Sequence, residues 1–291
     1  MALDDASHTI IADLLHSRTG QALSESRRWR ISTALSGLFR EFGIDNVDQL
    51  ACMLERPGEH RLATRVVEAL LNNETYFFRD HAYFTTLANT VLPELAKRRS
   101  DTKKLSIWSA GCSTGQEVLS LAMNFCEQPA RWQDWTIEIL GTDISGKAIA
   151  QARTGCYSQF EIQRGISVAQ MLNFFSETPK GWQVSDRVLS LARFEQHNVL
   201  DTPPYPGRFD LVLCRNCLLY FDPDTRRTAF DRLAGGIAPD GFLMLGAGET
   251  VVGQTDRFAP SSCGGAIYEP TPTGAGIDAV LSRAAPRVVN D

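Results

Sequence analysis

A glycine turn between two apolar segments is the first feature of this sequence that could bind a ligand. The run Leu105–Ala110 predicts a buried strand, and Val118–Met123 predicts the helix that follows it. Gly111 and Gly115 lie between them and predict a tight turn, which lets backbone N–H groups approach a ligand closely. The spacing differs from the dinucleotide fingerprint, so an ordinary strand–helix turn is an alternative.

Two acidic residues near this turn indicate what the ligand is. Asp143 follows a second apolar run, Thr136–Thr142, where an acid can accept hydrogen bonds from both ribose hydroxyls. It could also cap a helix over Ser145–Arg153, and the two roles are compatible. Glu117 would repel a pyrophosphate but suits a cationic ligand such as the amino group of S-adenosyl-L-methionine. The charge therefore favours a methyl donor over NAD.

Further polar residues follow later apolar runs of the chain. Asn198 follows one of them, and Arg215–Tyr220 follow the run Phe209–Cys214. Open α/β sheets bind ligands at the carboxyl ends of their parallel strands, so these groups are expected to meet the glycine turn. Cys214 and Cys217 form a lone Cys-x-x-Cys pair. Without a second pair or nearby histidines, two small, partly buried side chains are favoured over a zinc or redox site.

The elements that position these residues fall into two parts. Residues 1–72 have apolar residues at helical spacing and predict a small helical domain, whereas strands alternate with helices from 104 onward and predict a parallel α/β sheet. The aromatic and polar segment 73–80 has the composition of a cover over a ligand, and Asp80 can cap the next helix. Short apolar runs at 181–197 predict an inserted antiparallel element, and residues 271–291 predict a flexible tail.

Composition excludes several classes of protein. The 291 residues carry a net charge of −5, which argues against nucleic acid as a partner. No apolar run approaches the ~18 residues that span a bilayer, and the N-terminus lacks the features of a signal peptide. Seven scattered cysteines do not suggest a disulfide framework, so a cytoplasmic protein is expected.

Three stretches together carry a resemblance to a known family. Residues Asn73–Arg79, Trp108–Glu117 and Cys214–Asp222 resemble the chemotaxis receptor methyltransferases, the CheR family of protein-glutamate O-methyltransferases. The resemblance covers nearly the whole chain, up to Tyr268. It implies a helical domain, then a Rossmann-like methyltransferase domain over 81–270 that uses S-adenosyl-L-methionine and carries a small β-subdomain.

The resemblance also implies roles for particular residues. The cofactor would be held by Asn73, Thr75, Arg79, Gly111, Glu117, Asp143, Asn198, Val199, Arg215 and Asn216. Arg79 and Tyr220 match positions near the transferred methyl. A purely structural role for Arg79 and a core position for Tyr220 beside Phe221 are the alternatives.

Basic residues in the second helix define a candidate docking surface. Arg27, Arg28 and Arg30 would face an acidic receptor bundle, and the alternative is a solvated helix face. A monomer is expected.

Three departures from the family pattern are present, and the last two leave other functions open. The family's Thr-Asn is here Asn72-Asn73, its Glu-Glu-Pro-Tyr-Ser is here 116–120, Gln-Glu-Val-Leu-Ser, and its Gly-His-Ser-Glu is here 246–249, Gly-Ala-Gly-Glu. A cofactor-binding module with little turnover, or a methyltransferase with a different target, would be consistent with such changes.

Overall fold

An N-terminal helical unit begins the fold. The computed structural model describes residues 2–23 and 30–272. The helices described in this unit are α1 (Ala2–Thr19), α2 (Arg30–Phe42), α3 (Val47–Leu54) and α4 (His60–Leu70). They share one core that includes Ile11, Leu35, Leu50 and Leu62, because apolar residues recur at helical spacing. The helices predicted for this region are confirmed, and α2 ends at Gly43, where φ is +64°.

The rest of the described chain contains a large sheet, a small sheet and the helices that cover them. Two helices precede the sheet, α5 (His81–Thr86) and α6 (Leu92–Arg98). A π-helical turn (Leu87–Val91) joins them. The strands are β1 (Lys104–Ala110), β2 (Thr136–Asp143), β3 (Cys156–Tyr157), β4 (Phe175–Thr178), β5 (Gly181–Val184), β6 (Ala192–Gln196), β7 (Phe209–Cys214), β8 (Ile237–Leu245), β9 (Phe258–Pro260) and β10 (Ile267–Pro270). The remaining α-helices are α7 (Gln116–Cys126), α8 (Pro129–Trp132), α9 (Gly146–Thr154), α10 (Gln159–Gln163), α11 (Val168–Phe174), α12 (Asp186–Leu189) and α13 (Pro223–Gly236).

The large sheet places the predicted site at its centre. Its seven strands lie in the order β6-β2-β1-β7-β8-β10-β9. The strands from β6 to β8 pair in parallel, as predicted, whereas β10 and β9 add in antiparallel fashion and make the sheet mixed. β2, the next strand in the chain, lies on one side of β1, and β7 lies on the other side. The carboxyl ends of β1, β2 and β7 therefore flank a topological switch point, where such sheets bind ligands.

The small antiparallel sheet exists, but the predicted bounds of 181–197 are wrong. It consists of β3, β5 and β4 in that order, and therefore spans 156–184. The later apolar runs belong elsewhere: Val188 lies in α12, and Phe194 in β6 pairs in parallel with β2 in the large sheet. Runs of three or four apolar residues are too short to show which sheet they join. Capping boxes at Ser158 and Ser167, which begin α10 and α11, are the local signal for this subdomain.

The ends of the described chain limit two other statements. The tail predicted at 271–291 lies outside the described residues from 273 onward. Across 2–23 and 30–272, no helix combines the length and apolar character needed to cross a membrane.

A close backbone contact packs the small subdomain against the 73–80 segment. Gly165 has φ +95°, and a Cβ there would overlap the carbonyl oxygen of Phe77. Gly58 has nearly the same φ, +94°, but nothing lies within 4 Å of the position of its Cβ. Alanine substitutions at the two glycines therefore distinguish the energetic cost of backbone strain from that of steric overlap.

We expect Gly165→Ala to lower the free energy of unfolding by about 2–5 kcal/mol, because left-handed strain and overpacking add. Gly58→Ala should cost only the strain, about 1–2 kcal/mol. Urea unfolding of both variants and the unchanged chain measures the difference. Equal losses in the two variants would contradict the tight contact at Gly165.

Candidate functional site

One cavity lies at the carboxyl ends of the central strands. Its empty volume is about 820 Å³, which includes space that is open to solvent. Every residue predicted for the site lines it: Asn73, Thr75, Arg79, Gly111, Glu117, Asp143, Asn198, Val199, Arg215, Asn216 and Tyr220. The helical unit also contributes, through Thr19, the last residue of α1, and Gln21, just beyond it. The cavity is therefore built from both parts of the chain.

The glycine turn forms one wall and requires its glycine. Gly111 has φ +80°, and a Cβ there would lie 3.3 Å from the Sγ and Cβ atoms of Cys217. The next residues tie the turn to the rest of the cavity wall. The backbone N–H of Ser113 donates to Asp143 Oδ2 at 2.8 Å, and its hydroxyl donates to the carbonyl of Asn73 at 2.7 Å. The turn after β1 thus holds both the acidic end of β2 and the 73–80 segment.

Asp143 links two turns through its carboxylate. Oδ2 accepts from Ser113, and Oδ1 accepts from the backbone N–H of Ser145 at 2.9 Å. Ser145, not Asp143, caps α9, since its hydroxyl accepts from Ala148 N–H. Burial raises the pKa of Asp143, and the nearby charge of Glu68 raises it further, while the two backbone donors oppose the shift. Each carboxylate oxygen has two lone pairs, so acceptor capacity toward a ligand remains.

Arg215 lies beneath the cavity wall with its guanidinium committed to protein partners. Its side chain is 1% exposed and forms 2.8 Å ion pairs with Glu117 and with Asp80. It also donates to the carbonyl of Arg79 at 2.9 Å. Asp80 was predicted to cap α5, but it adopts a left-handed conformation with φ 60° and makes no capping bond, because its carboxylate faces Arg215. Glu117 takes a second bond, from the hydroxyl of Ser109.

A second buried acid, missed in the sequence analysis, shapes the turn that follows β7. The carboxylate of Glu249 accepts four backbone N–H groups, from Asn216, Cys217, Leu218 and Gly246, at 2.7–3.0 Å. Asn216 itself has φ 57°, so these bonds hold a conformation that non-glycine residues rarely adopt. Sequence alone carries no local signal for this role, because Glu249 lies 31 to 33 residues beyond the N–H groups of the 216–218 turn.

Tyr220 and Arg79 both line the cavity. Tyr220 is half-buried rather than a core residue, and its hydroxyl accepts a 2.6 Å bond from the Asn72 side-chain amide. Its carbonyl accepts from Ala22 N–H, which ties the end of α1 to this turn. Arg79 donates to the carbonyl of Glu74 at 3.0 Å and lies 5.7 Å from the centre of the Tyr76 ring.

Three further predictions concern cysteines and the docking helix. Cys214 is buried and Cys217 is half-buried, and both are free thiols. No cluster of potential metal ligands occurs in the part of the chain that the structure describes. Arg27 and Arg28 lie outside the described residues; Arg30 begins α2, but its side chain is also outside them.

The groups that line this cavity fit S-adenosyl-L-methionine. The carboxylates of Glu117 and Asp143 can accept hydrogen bonds from an amine and from ribose hydroxyls. His197 on the same wall has a buried Nε2 with no partner among the described residues, so a polar atom is available to a bound nucleoside. Burial lowers the pKa of His197, which favours the neutral ring. A Rossmann-like sheet with this site defines the class of S-adenosyl-L-methionine-dependent methyltransferases.

Comparison with known proteins identifies the family within this class. Residues 73–266 match the family described as "CheR methyltransferase, SAM binding domain". The chain is 32% identical over 273 residues to a chemotaxis protein methyltransferase of Vibrio parahaemolyticus, covering 92% of this chain and 98% of that protein. It is 33% identical over 275 residues to chemotaxis protein methyltransferase 1 of Pseudomonas aeruginosa, covering 92% and 99%. This chain belongs to the CheR methyltransferase family.

A solved structure also aligns with the chain, at lower similarity. It is a SAM-dependent methyltransferase from Methanosarcina mazei, with a TM-score of 0.32 and 19% identity, covering 51% of this chain and 55% of that chain.

Burial raises the pKa of Asp143 above the ordinary value for an aspartate, which is near ~3.9. We therefore expect the affinity for S-adenosylhomocysteine to fall as the pH drops through this raised pKa. An ionised carboxylate is the better acceptor for ribose hydroxyls, and protonation removes its charge. Calorimetry between pH 7.5 and 5 measures the trend. Asp143→Asn should bind weakly at every pH, and its affinity should not depend on pH in this range. If the same fall in affinity persisted in Asp143→Asn, a group other than Asp143 would be responsible for it.

Proposed function

We propose that this chain transfers a methyl group to glutamate side chains in the helical bundle of a chemoreceptor. When bound, S-adenosyl-L-methionine supplies an electrophilic methyl on a sulfonium. The observation that carries the proposal is a single cavity lined by Glu117, Asp143, Arg79 and Tyr220, covered from the N-terminal side by the 73–80 segment. In this assignment Glu117 faces the amino-acid part of the cofactor and Asp143 its ribose.

The chain's residues have to align the acceptor rather than activate it. A glutamate carboxylate is already anionic at neutral pH, since its pKa is near ~4.3, so no general base is required. Alignment of the carboxylate oxygen, the methyl carbon and the sulfur then supplies most of the acceleration. Arg79 is the residue at the cavity wall that can orient the incoming carboxylate, and its bond to Glu74 uses one of the five N–H donors of a guanidinium.

Tyr220 has the position to act beside Arg79. Its hydroxyl is held by the amide of Asn72 at 2.6 Å, so both ends of this contact are fixed at the cavity wall. Placement of the hydroxyl near the reacting groups restricts how the acceptor enters. Asn73 and Thr75 complete the covering segment, and Asn198, Val199, Arg215 and Asn216 flank the adenosyl part.

The proposed docking surface is the basic stretch with Arg27, Arg28 and Arg30. A receptor bundle that presents glutamates is acidic, and steering between opposite charges raises the rate of association. Each methylation removes one negative charge from the bundle and reduces repulsion between its helices, which shifts a signalling equilibrium. We place this activity in the cytoplasm, with the chain acting as a monomer.

The activity test uses labelled S-adenosyl-L-methionine and membranes that contain chemoreceptors. We expect base-labile methyl groups on receptor glutamates, and peptide mapping identifies the positions. Arg79→Ala should lower kcat by roughly 10²-fold because the acceptor loses its orientation, while the Kd for S-adenosylhomocysteine stays within about threefold. Arg193→Ala, which removes an arginine that is 71% exposed, is the matched control.

Two results would count against these assignments. Tight binding of S-adenosylhomocysteine without methyl incorporation, across the receptors of the organism, would favour a binding module. Retained turnover in Arg79→Ala would leave Arg79 with a structural role only.

For the docking surface, Arg27→Glu combined with Arg30→Glu should raise KM for the receptor several-fold, roughly tenfold at low salt, with kcat unchanged. The effect should shrink as ionic strength rises, because salt screens exposed charges. Arg61→Glu combined with Arg193→Glu changes two exposed arginines elsewhere and makes the same change in net charge, so this double variant is the control. A KM equal to that of the control would mean a solvated helix face.

A further inference from the structure

An acidic residue of the helical unit reaches across to the methyltransferase domain. Glu68 lies on α4, and its carboxylate meets the first turn of α9. Oε2 accepts from the hydroxyl of Ser145 at 2.5 Å, and Oε1 accepts from the backbone N–H groups of Gly146 at 2.8 Å and Lys147 at 3.4 Å. A negative charge at a helix N-terminus is stabilised by the unpaired N–H groups and the helix dipole.

The turn that Glu68 holds is the one that carries Asp143. Ser145 is fully buried and donates its backbone N–H to Asp143 Oδ1, while its hydroxyl contacts Glu68. On the opposite side, Ser113 from the glycine turn donates to Asp143 Oδ2. The acidic end of β2 is therefore fixed from two directions. Ser113 and Ser145 both belong to the methyltransferase domain, and the helical unit acts on Asp143 indirectly, because Glu68 holds Ser145.

The surroundings of Glu68 separate this contact from ordinary packing. A cleft of about 570 Å³ opens between the helical unit and the sheet, and Glu68 lines it together with Arg18, Thr64, Ile144 and Gln196. Glu68 thus bridges a gap at the edge of the interface, outside the cores of either part. Its removal should therefore perturb the 143–146 turn more than it perturbs the overall fold.

We propose that Glu68 is a positioning residue for the cofactor, which holds the 143–146 turn in its binding conformation and so couples cofactor affinity to the seating of the helical unit. The proposal rests on the proposed role of Asp143 at the ribose. Coupling between two sites is reciprocal, so a cofactor that stabilises the turn must also stabilise the seating of α4. A receptor that engages the helical unit would act on cofactor affinity through the same contact.

The test compares Glu68→Ala with Glu41→Ala in the full-length chain, with S-adenosylhomocysteine as the probe. Glu41 pairs with Arg65 inside the same helical unit and does not line either cleft, so it controls for a general loosening of that unit. We expect the Kd to rise roughly tenfold in Glu68→Ala, as for a lost helix cap, and to stay within about twofold in Glu41→Ala. At saturating cofactor kcat should be unchanged.

Hydrogen exchange can distinguish coupling between Glu68 and the cofactor site from a purely structural role of Glu68. Binding of S-adenosylhomocysteine should slow exchange of the α4 amides in the unchanged chain, and this slowing should be lost in Glu68→Ala. Glu68→Gln keeps one oxygen that can accept from the backbone N–H of Gly146 but loses the negative charge. It should therefore give an intermediate Kd. If Glu68→Ala does not fold, the glutamine variant decides the question.

Two outcomes would overturn the proposal: a Kd in the Glu68 variants within twofold of the unchanged chain, or an equal loss in Glu41→Ala. Failure of the underlying ribose assignment would look different. In that case Asp143→Asn itself would bind S-adenosylhomocysteine as tightly as the unchanged chain.

Discussion

The buried guanidinium of Arg215 is the constraint on which the site depends. A cation that is 1% exposed has to keep its ionic partners, because removal of one partner from a buried pair costs about 3–5 kcal/mol. Its partners come from separate parts of the chain: Glu117 from α7, and Asp80 and the Arg79 carbonyl from the segment before α5. The end of β7, the glycine turn and the covering segment are therefore fixed relative to one another. The left-handed conformation of Asp80 is maintained by the same pairing.

Acidic side chains that accept hydrogen bonds from the backbone N–H groups of turns fix the other turns near the cavity. Asp143 joins the turns after β1 and β2, Glu249 holds the turn after β7, and Glu68 holds the start of α9. Each of these carboxylates faces backbone N–H groups that a turn or a helix start leaves without partners. Of these three acids Asp143 lines the cavity, close to Glu117, whereas Glu249 and Glu68 hold turns behind the cavity wall. Carboxylates at the cavity wall suit a ligand that brings a positive charge and several hydroxyl groups.

Local patterns predicted the strand ends well and long-range contacts poorly. The apolar runs fixed β1 and β2 to within one residue, and the rule that ligands meet parallel strand ends brought all the predicted residues to one cavity. Glu68 and Glu249 were missed because their partners are 31 to 79 residues away, except for Gly246, and no spacing rule reports such contacts. The small subdomain was misplaced because its strands are two to four residues long, too short to show periodicity.

Two of the three departures from the family pattern, at 118–119 and 247–248, lie away from the cavity lining. Val118 and Leu119 are fully buried in the core beneath α7, so those changes are apolar packing changes next to an unchanged Glu117. At the second departure, a Cβ on Gly248 would meet nothing within 4 Å, and Glu249 keeps its four backbone bonds. Residues 118, 119, 247 and 248 do not line the cavity. Asn72 does line it, and its side-chain amide donates to the hydroxyl of Tyr220, so this is the departure that meets the proposed reaction site directly.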